Sequence, residues 1–158
     1  MVLLENGTME ETSFYPEPTK NKFLVNNTVS VIPVPFSGGQ GKRGVELGPI
    51  ELEKFGLIDQ LKKLGYNVTR EGTSDVDMSK KPEFDGESEL LKNPIWVSNT
   101  CKDVAERVQS ACAKGNFALT LGGDHSIAVG TIAGTTAVYG DDLCVVWVDA
   151  HAVSLFKF

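Results

Sequence analysis

Cysteine is scarce in this sequence: three residues, Cys101, Cys112 and Cys144, with no CxxC pair among them. An odd, unpaired set excludes a small disulfide-framed module and points to a reducing compartment. Cys101 and Cys112 fall on one face of an expected helix, where a thiol serves as a small buried apolar group. Histidine is scarcer still, with two in 158 residues. Basic residues are outnumbered, 15 Lys and Arg against 21 Asp and Glu, for a net charge of −6. That excludes the basic face of a nucleic-acid binder, while an acidic site for a small cationic substrate is compatible with any net charge. No apolar run approaches the roughly 20 residues that span a bilayer. The start carries Glu5, Glu10 and Glu11 and no arginine before Arg43, which fits neither a secretory signal nor a transit peptide. These absences predict a cytoplasmic protein with no nucleic-acid and no membrane partner.

What is present is the composition of a globular domain, 41% hydrophobic and 23% charged, in a chain long enough for one core. Residues 1–28 are polar, with Pro16 and Pro18 and no periodicity, and read as a flexible arm. Val29 to Phe36 reads as a first strand, its prolines suggesting an irregular end or a sheet edge. A glycine-rich loop runs from Ser37 to Gly48. Pro49 suits a first helical turn, because its missing N–H is not needed there. Ile50, Leu52, Phe55, Leu57, Leu61 and Leu64 continue an apolar helical face, interrupted by Gly56 and ended by Gly65. Asn67 to Thr69 is a short second strand. Polar residues from Gly72 to about Pro94 form a surface connection, and Asn99 to Lys114 a second helix. Phe117 to Leu121 is a third strand, followed by a turn at Gly122 to Ser126. Ile127 to Tyr139 is a helix of small residues suited to tight packing on a sheet. Leu143 to Val148, apolar on both faces, is a fourth strand. Strands alternating with amphipathic helices predict an α/β fold, a mostly parallel sheet with flanking helices.

In such sheets functional groups collect beyond the carboxyl ends of the strands. Both histidines lie there, in Gly122-Gly123-Asp124-His125-Ser126 after the third strand and Asp149-Ala150-His151 after the fourth. Asp149 and His151 are two apart, so an extended chain points both to one side. A carboxylate and imidazoles converging from two strand ends form a mixed oxygen and nitrogen donor set, suited to manganese, iron or zinc.

Four segments then carry a resemblance: Val34-Pro35-Phe36-Ser37-Gly38-Gly39-Gln40-Gly41, Gly44-Val45-Glu46-Leu47-Gly48-Pro49, Leu121-Gly122-Gly123-Asp124-His125-Ser126 and Trp147-Val148-Asp149-Ala150-His151. In this order and spacing, from about Val29 to Ala152, they resemble the ureohydrolase family. The first two look more like arginase than agmatinase. The resemblance implies an arginase/deacetylase-like three-layer fold and a binuclear Mn2+ site, with His125, Asp149 and His151 as metal ligands. It also implies hydrolysis of L-arginine to L-ornithine and urea by a metal-activated water, in a homotrimer.

The chain departs from the family pattern after His151. The DAHxD motif ends in aspartate, whereas Val153 stands there, and valine ligates no metal. The family's second metal-binding aspartate pair, its substrate loop and its proton-shuttling histidine follow further downstream, so the catalytic residues are not in this chain. The expected domain at 29–152 is therefore partial, incomplete at its C-terminus, and 153–158 is a non-family tail. Val153-Ser154 is what an in-frame GTRAGT splice donor encodes, which motivates an expectation of intron read-through. Family strands that sit between the third and fourth strands here are missing, so the two strand ends need not meet. Exposed edges and poor solubility are expected. A non-catalytic fragment or regulatory partner of full-length arginase is one alternative, and agmatinase another. A third is a dinucleotide-binding domain, since Gly39-Gln40-Gly41-Lys42-Arg43-Gly44 fits GxGxxG, with Glu71 as the ribose acid.

Overall fold

The computed structural model describes residues 2–3, 9–10, 23–72, 81–85 and 91–150. Most of the N-terminal arm, two stretches of the polar connection, His151 and the 153–158 tail lie outside the described residues. Within the arm, strands β1 (Val2–Leu3) and β2 (Met9–Glu10) pair antiparallel. Strands β3 (Thr28–Val34), β4 (Asn67–Arg70) and β5 (Phe117–Gly122) form a parallel sheet in the order β4-β3-β5. Helices α1 (Gly48–Lys54), α2 (Leu57–Lys63), α3 (Pro94–Ala113) and α4 (Ala128–Tyr139) complete the described elements.

The period of two along β3 builds three layers. Val29 and Val31, with Leu121 of β5, meet Leu57, Ile58 and Leu61 of α2 on one side. Ile32 and Val34 turn the other way, onto Trp96, Val104 and Val108 of α3. Burial of each such side chain contributes about 1.5–3 kcal/mol. Ser30 is the polar exception on this central strand and is fully buried. Its hydroxyl accepts from Asn116 Nδ2 at 3.1 Å and shares a hydrogen bond with Thr69 at 3.0 Å. Asn26 Nδ2 in turn donates to Asn116 Oδ1 at 3.3 Å. This polar chain stitches all three strands to the incoming segment without leaving a buried group unsatisfied.

The prolines of the first strand suggested an edge, but β3 is central. In a parallel strand, residues of one parity direct both backbone groups to the same neighbour. Val31 O accepts from Glu71 N, on the β4 side. Pro33 shares that parity and lies past the last β4 partner, Arg70 opposite Val31. Its missing N–H therefore faces a place where β4 has already ended, and its carbonyl accepts from Arg107 Nη1 at 3.4 Å.

Four other expectations need correction. First, α3 starts at Pro94 rather than Asn99, because the carboxylate of Asp85 accepts from Ile95 N at 2.6 Å and Trp96 N at 3.2 Å. That cap comes from upstream of the helix, where no local pattern shows it. Second, α4 packs mainly on α3 rather than on the sheet. A Cβ on Gly130 would lie 2.5 Å from Cys101 O, and one on Gly134 would lie 2.4 Å from Ala105 O. Third, Leu143 to Val148 forms no strand: it has no ladder partner among the described residues. Val146 and Val148 are accordingly 81% and 94% exposed. The helix expected across Gly56 is also two helices, divided where Gly56 takes φ +85°, with Phe55 left exposed at the break.

The helix pair generates a test in which two effects oppose each other. Helix propensity alone favours Gly134→Ala by about 1 kcal/mol. The added methyl strikes backbone, which cannot rotate away, so we expect a net loss of about 1–3 kcal/mol. A urea titration reads the sign, and a raised midpoint contradicts this packing.

Candidate metal centre

The candidate site begins with two loops made neighbours by the parallel pairing of β3 and β5. Asp124 N donates to Phe36 O at 2.9 Å, which joins the turn after β5 to the loop after β3. Gly123 sits in this joint with no room for a side chain, since a Cβ would stand 2.2 Å from Phe36 O. Asp124 is buried. Its Oδ2 accepts from Gly39 N at 2.9 Å, and its Oδ1 from Ser126 N at 2.9 Å and Ser126 Oγ at 2.5 Å. The carboxylate thus caps the helical turn that leads into α4 and clamps the glycine-rich loop in the same place. Asn93 holds the other side of that loop, donating from Nδ2 to Gly38 O at 2.7 Å. Phe36 and Trp96 meet edge to face beneath it, 4.9 Å between centroids.

With Asp124 turned inward, the next side chain turns out. His125 is exposed, its ring stacked on Trp147 at 5.0 Å and 17°. His125 Nδ1 lies 3.5 Å from Asp149 Oδ2. The two strand-end motifs therefore meet even though no intervening strand holds them together, contrary to the expectation that they need not. His151, the third expected ligand, lies outside the described residues.

The donor chemistry at this point is one imidazole nitrogen and one carboxylate oxygen, which suits a divalent transition metal. Such ions in proteins take at least three protein ligands. Among the described residues no group of three or more His, Cys, Asp or Glu is placed to hold one. The pair is a partial donor set. Cys101, although near, does not add to it. Burial pushes its thiol pKa up, Asp124 adds to that shift, and its Sγ–H donates to Ser126 O at 3.3 Å.

Asp124 and Ser126 lay inside the recognised GGDHS segment, but sequence reasoning gave them no role of their own. The signal was available: an aspartate three residues before the expected helix start at Ile127 is a candidate N-cap for an added first turn. The same carboxylate removes the dinucleotide alternative. It occupies the Gly39 N–H that a phosphate would need, and Gly44 leads into a short turn at Val45–Leu47, ahead of a seven-residue helix. Glu71 is 3.8 Å from Lys114 Nζ.

A protein-family model described as the Arginase family matches residues 27–153. Arginase from Schizosaccharomyces pombe is 44% identical over 133 residues, covering 84% of this chain and 40% of that one. A non-hepatic arginase of Xenopus laevis is 46% identical over 127 residues, covering 80% of this chain and 34% of the relative. Among solved structures, Bacillus caldovelox arginase superposes with a TM-score of 0.61 at 35% identity, over 70% of this chain and 36% of that one. Entamoeba histolytica arginase, solved in complex with L-ornithine, gives 0.58 at 31% identity, over 71% and 36%. The chain thus spans well under half the length of the relatives it matches. With the sheet, the glycine loop, the GGDHS turn and the DAH segment all inside the matched span, this chain belongs to the arginase family.

Proposed function

We propose that this chain is the N-terminal part of an arginase catalytic unit, which hydrolyses L-arginine to L-ornithine and urea with Mn2+ as its metal. The carrying observation is the approach of His125 Nδ1 to Asp149 Oδ2, 3.5 Å apart beyond the carboxyl end of β5. In this reading His125, Asp149 and His151 are metal ligands contributed by the chain, and the family-length protein supplies the remainder. When bound, manganese supplies a Lewis acid and lowers the pKa of a coordinated water toward neutrality. The chain's own part is positional. Asp124 fixes the backbone on either side of His125, and Trp147 holds the imidazole plane. The L-ornithine in the Entamoeba relative supports a basic amino acid as the substrate class. The relatives named above are arginases, which favours arginine over agmatine. A homotrimer in the cytoplasm completes the proposal. No helix among the described residues is long and apolar enough to cross a membrane.

The 158-residue polypeptide tested alone is inactive in this account, because Val153 replaces a carboxylate and the described donors number two. Urea release from L-arginine with Mn2+ checks this. The comparison is a version carrying Val153→Asp and continued to family length, which should be active. Urea formed in proportion to the concentration of the short chain would overturn the assignment of ligands.

Asp124 acts through His125 and is testable separately. Asp124→Ala removes a cap and strands the Gly39 N–H and the Ser126 hydroxyl, a loss of about 2–4 kcal/mol. In the family-length protein, Asp124→Asn should keep most of the fold and weaken Mn2+ affinity by about 10–100-fold. Unchanged metal affinity in a folded Asp124→Asn protein would reduce Asp124 to a purely structural residue.

A further inference from the structure

The placement of His125 depends on the residue that follows it. The Asp124 carboxylate holds the backbone N–H and the hydroxyl of Ser126. The Ser126 carbonyl is reached from α3, where Cys101 donates to it from Sγ at 3.3 Å. The backbone of Gly130, in the first turn of α4, hydrogen-bonds the same sulfur. A Cβ on Gly130 would stand 2.5 Å from Cys101 O, so the main chain of Cys101 borders that turn as well. Cys101 is 8% exposed, and at that depth water competes little for these contacts.

Burial alone does not account for this thiol. Cys112 lies on the same face of α3, about three turns further along, and is 7% exposed. Its thiol also has a polar partner, the Tyr139 hydroxyl in the last turn of α4. The two cysteines differ in what that partner is joined to. Tyr139 leads into Gly140 and the short turn beyond it, whereas Ser126 is one peptide bond from His125.

We propose that Cys101 is a positioning residue for the candidate metal centre: acting through Ser126, it sets where the His125 ring stands against Trp147 and Asp149. The proposal deepens the reading of His125 as a metal ligand and rests on it. His125 is strung between Asp124, tied to Gly39, and Ser126, tied to Asp124 and to Cys101. Its own ring is exposed and meets Trp147 at 5.0 Å and Asp149 at 3.5 Å. Removing the Cys101 donor releases the Ser126 carbonyl from α3, and the turn then settles differently. The imidazole, one residue away, is displaced from the stack and from the carboxylate together.

The experiment pairs Cys101→Ala with Cys112→Ala in the 158-residue chain. Each removes one buried thiol, so both should lower the urea midpoint to a similar extent. The discriminating readout is the proton magnetic resonance of the His125 ring, which lies in the ring current of Trp147 and is identified by its loss in His125→Asn. Cys101→Ala should move these signals toward their free-imidazole positions, and Cys112→Ala should leave them in place. Cys101→Ser, whose hydroxyl can donate to the same carbonyl, should restore them. In the chain carrying Val153→Asp and continued to family length, Cys101→Ala should weaken Mn2+ binding by about tenfold, and Cys101→Ser by less. Should the short Cys101→Ala chain fail to fold, the same His125 signals are compared in the metal-free family-length protein. Signals unmoved by Cys101→Ala, moved equally by Cys112→Ala, or not restored by Cys101→Ser overturn the proposal and leave Cys101 as core packing. Displaced signals with unaltered Mn2+ affinity keep Cys101 as the residue that places His125 and count against the metal reading alone.

Discussion

The carboxylate of Asp124 joins two parts of the chain that are 85 residues apart in sequence. It accepts from Gly39 in the loop after β3 and from both the backbone and the hydroxyl of Ser126 at the entrance to α4. The Asp124 backbone N–H closes the same joint on Phe36. A buried charge is tolerable because every one of these contacts is a directed donor. The consequence is an exchange of directions: the aspartate points in, so the histidine beside it points out. The outward histidine, just beyond the carboxyl end of β5, is then within reach of Asp149 at the end of the unpaired Leu143–Val148 run.

Much of this was legible in the sequence where a local pattern decides the outcome. The division of Val29 and Val31 toward α2 from Ile32 and Val34 toward α3 follows from period two, and the buried Val104, Val108 and Cys112 follow from helical spacing. The ends of β5 and α3 were marked by the glycines that flank them. What was hidden depends on contacts at a distance. The start of α3 is set by Asp85 across a connection, because Asn93 in the cap position turns its side chain to Gly38 O and makes no cap hydrogen bond. Pro33 was misread as an edge marker because its tolerance depends on where β4 stops. Gly130 and Gly134 were read as sheet-packing residues, although their lack of a side chain serves the approach of α3.

Leu143 to Val148 is the most instructive departure. Its valines and tryptophan favour a strand, yet a strand is a relation between two segments and not a property of one. With no ladder partner among the described residues, the run is largely exposed; Leu143 to Val146 border a cleft with Thr131, Ile132 and Thr135 of α4, and Trp147 stacks on His125. The same fact explains why the site is recognisable and incomplete at once. Position within the fold brings His125 and Asp149 together, and among the described residues no third His, Cys, Asp or Glu joins them.

The central claim is that the ends of β5 and of the Leu143–Val148 run form one metal-binding rim. Nuclear magnetic resonance of the 15N-labelled chain during a Mn2+ titration tests it most directly, because the paramagnetic ion broadens the signals of its neighbours. The account predicts that His125, Trp147 and Asp149 broaden first and together, and that His125→Asn abolishes the effect at all three. Broadening centred on Asp141 and Asp142, with His125 untouched, would contradict it.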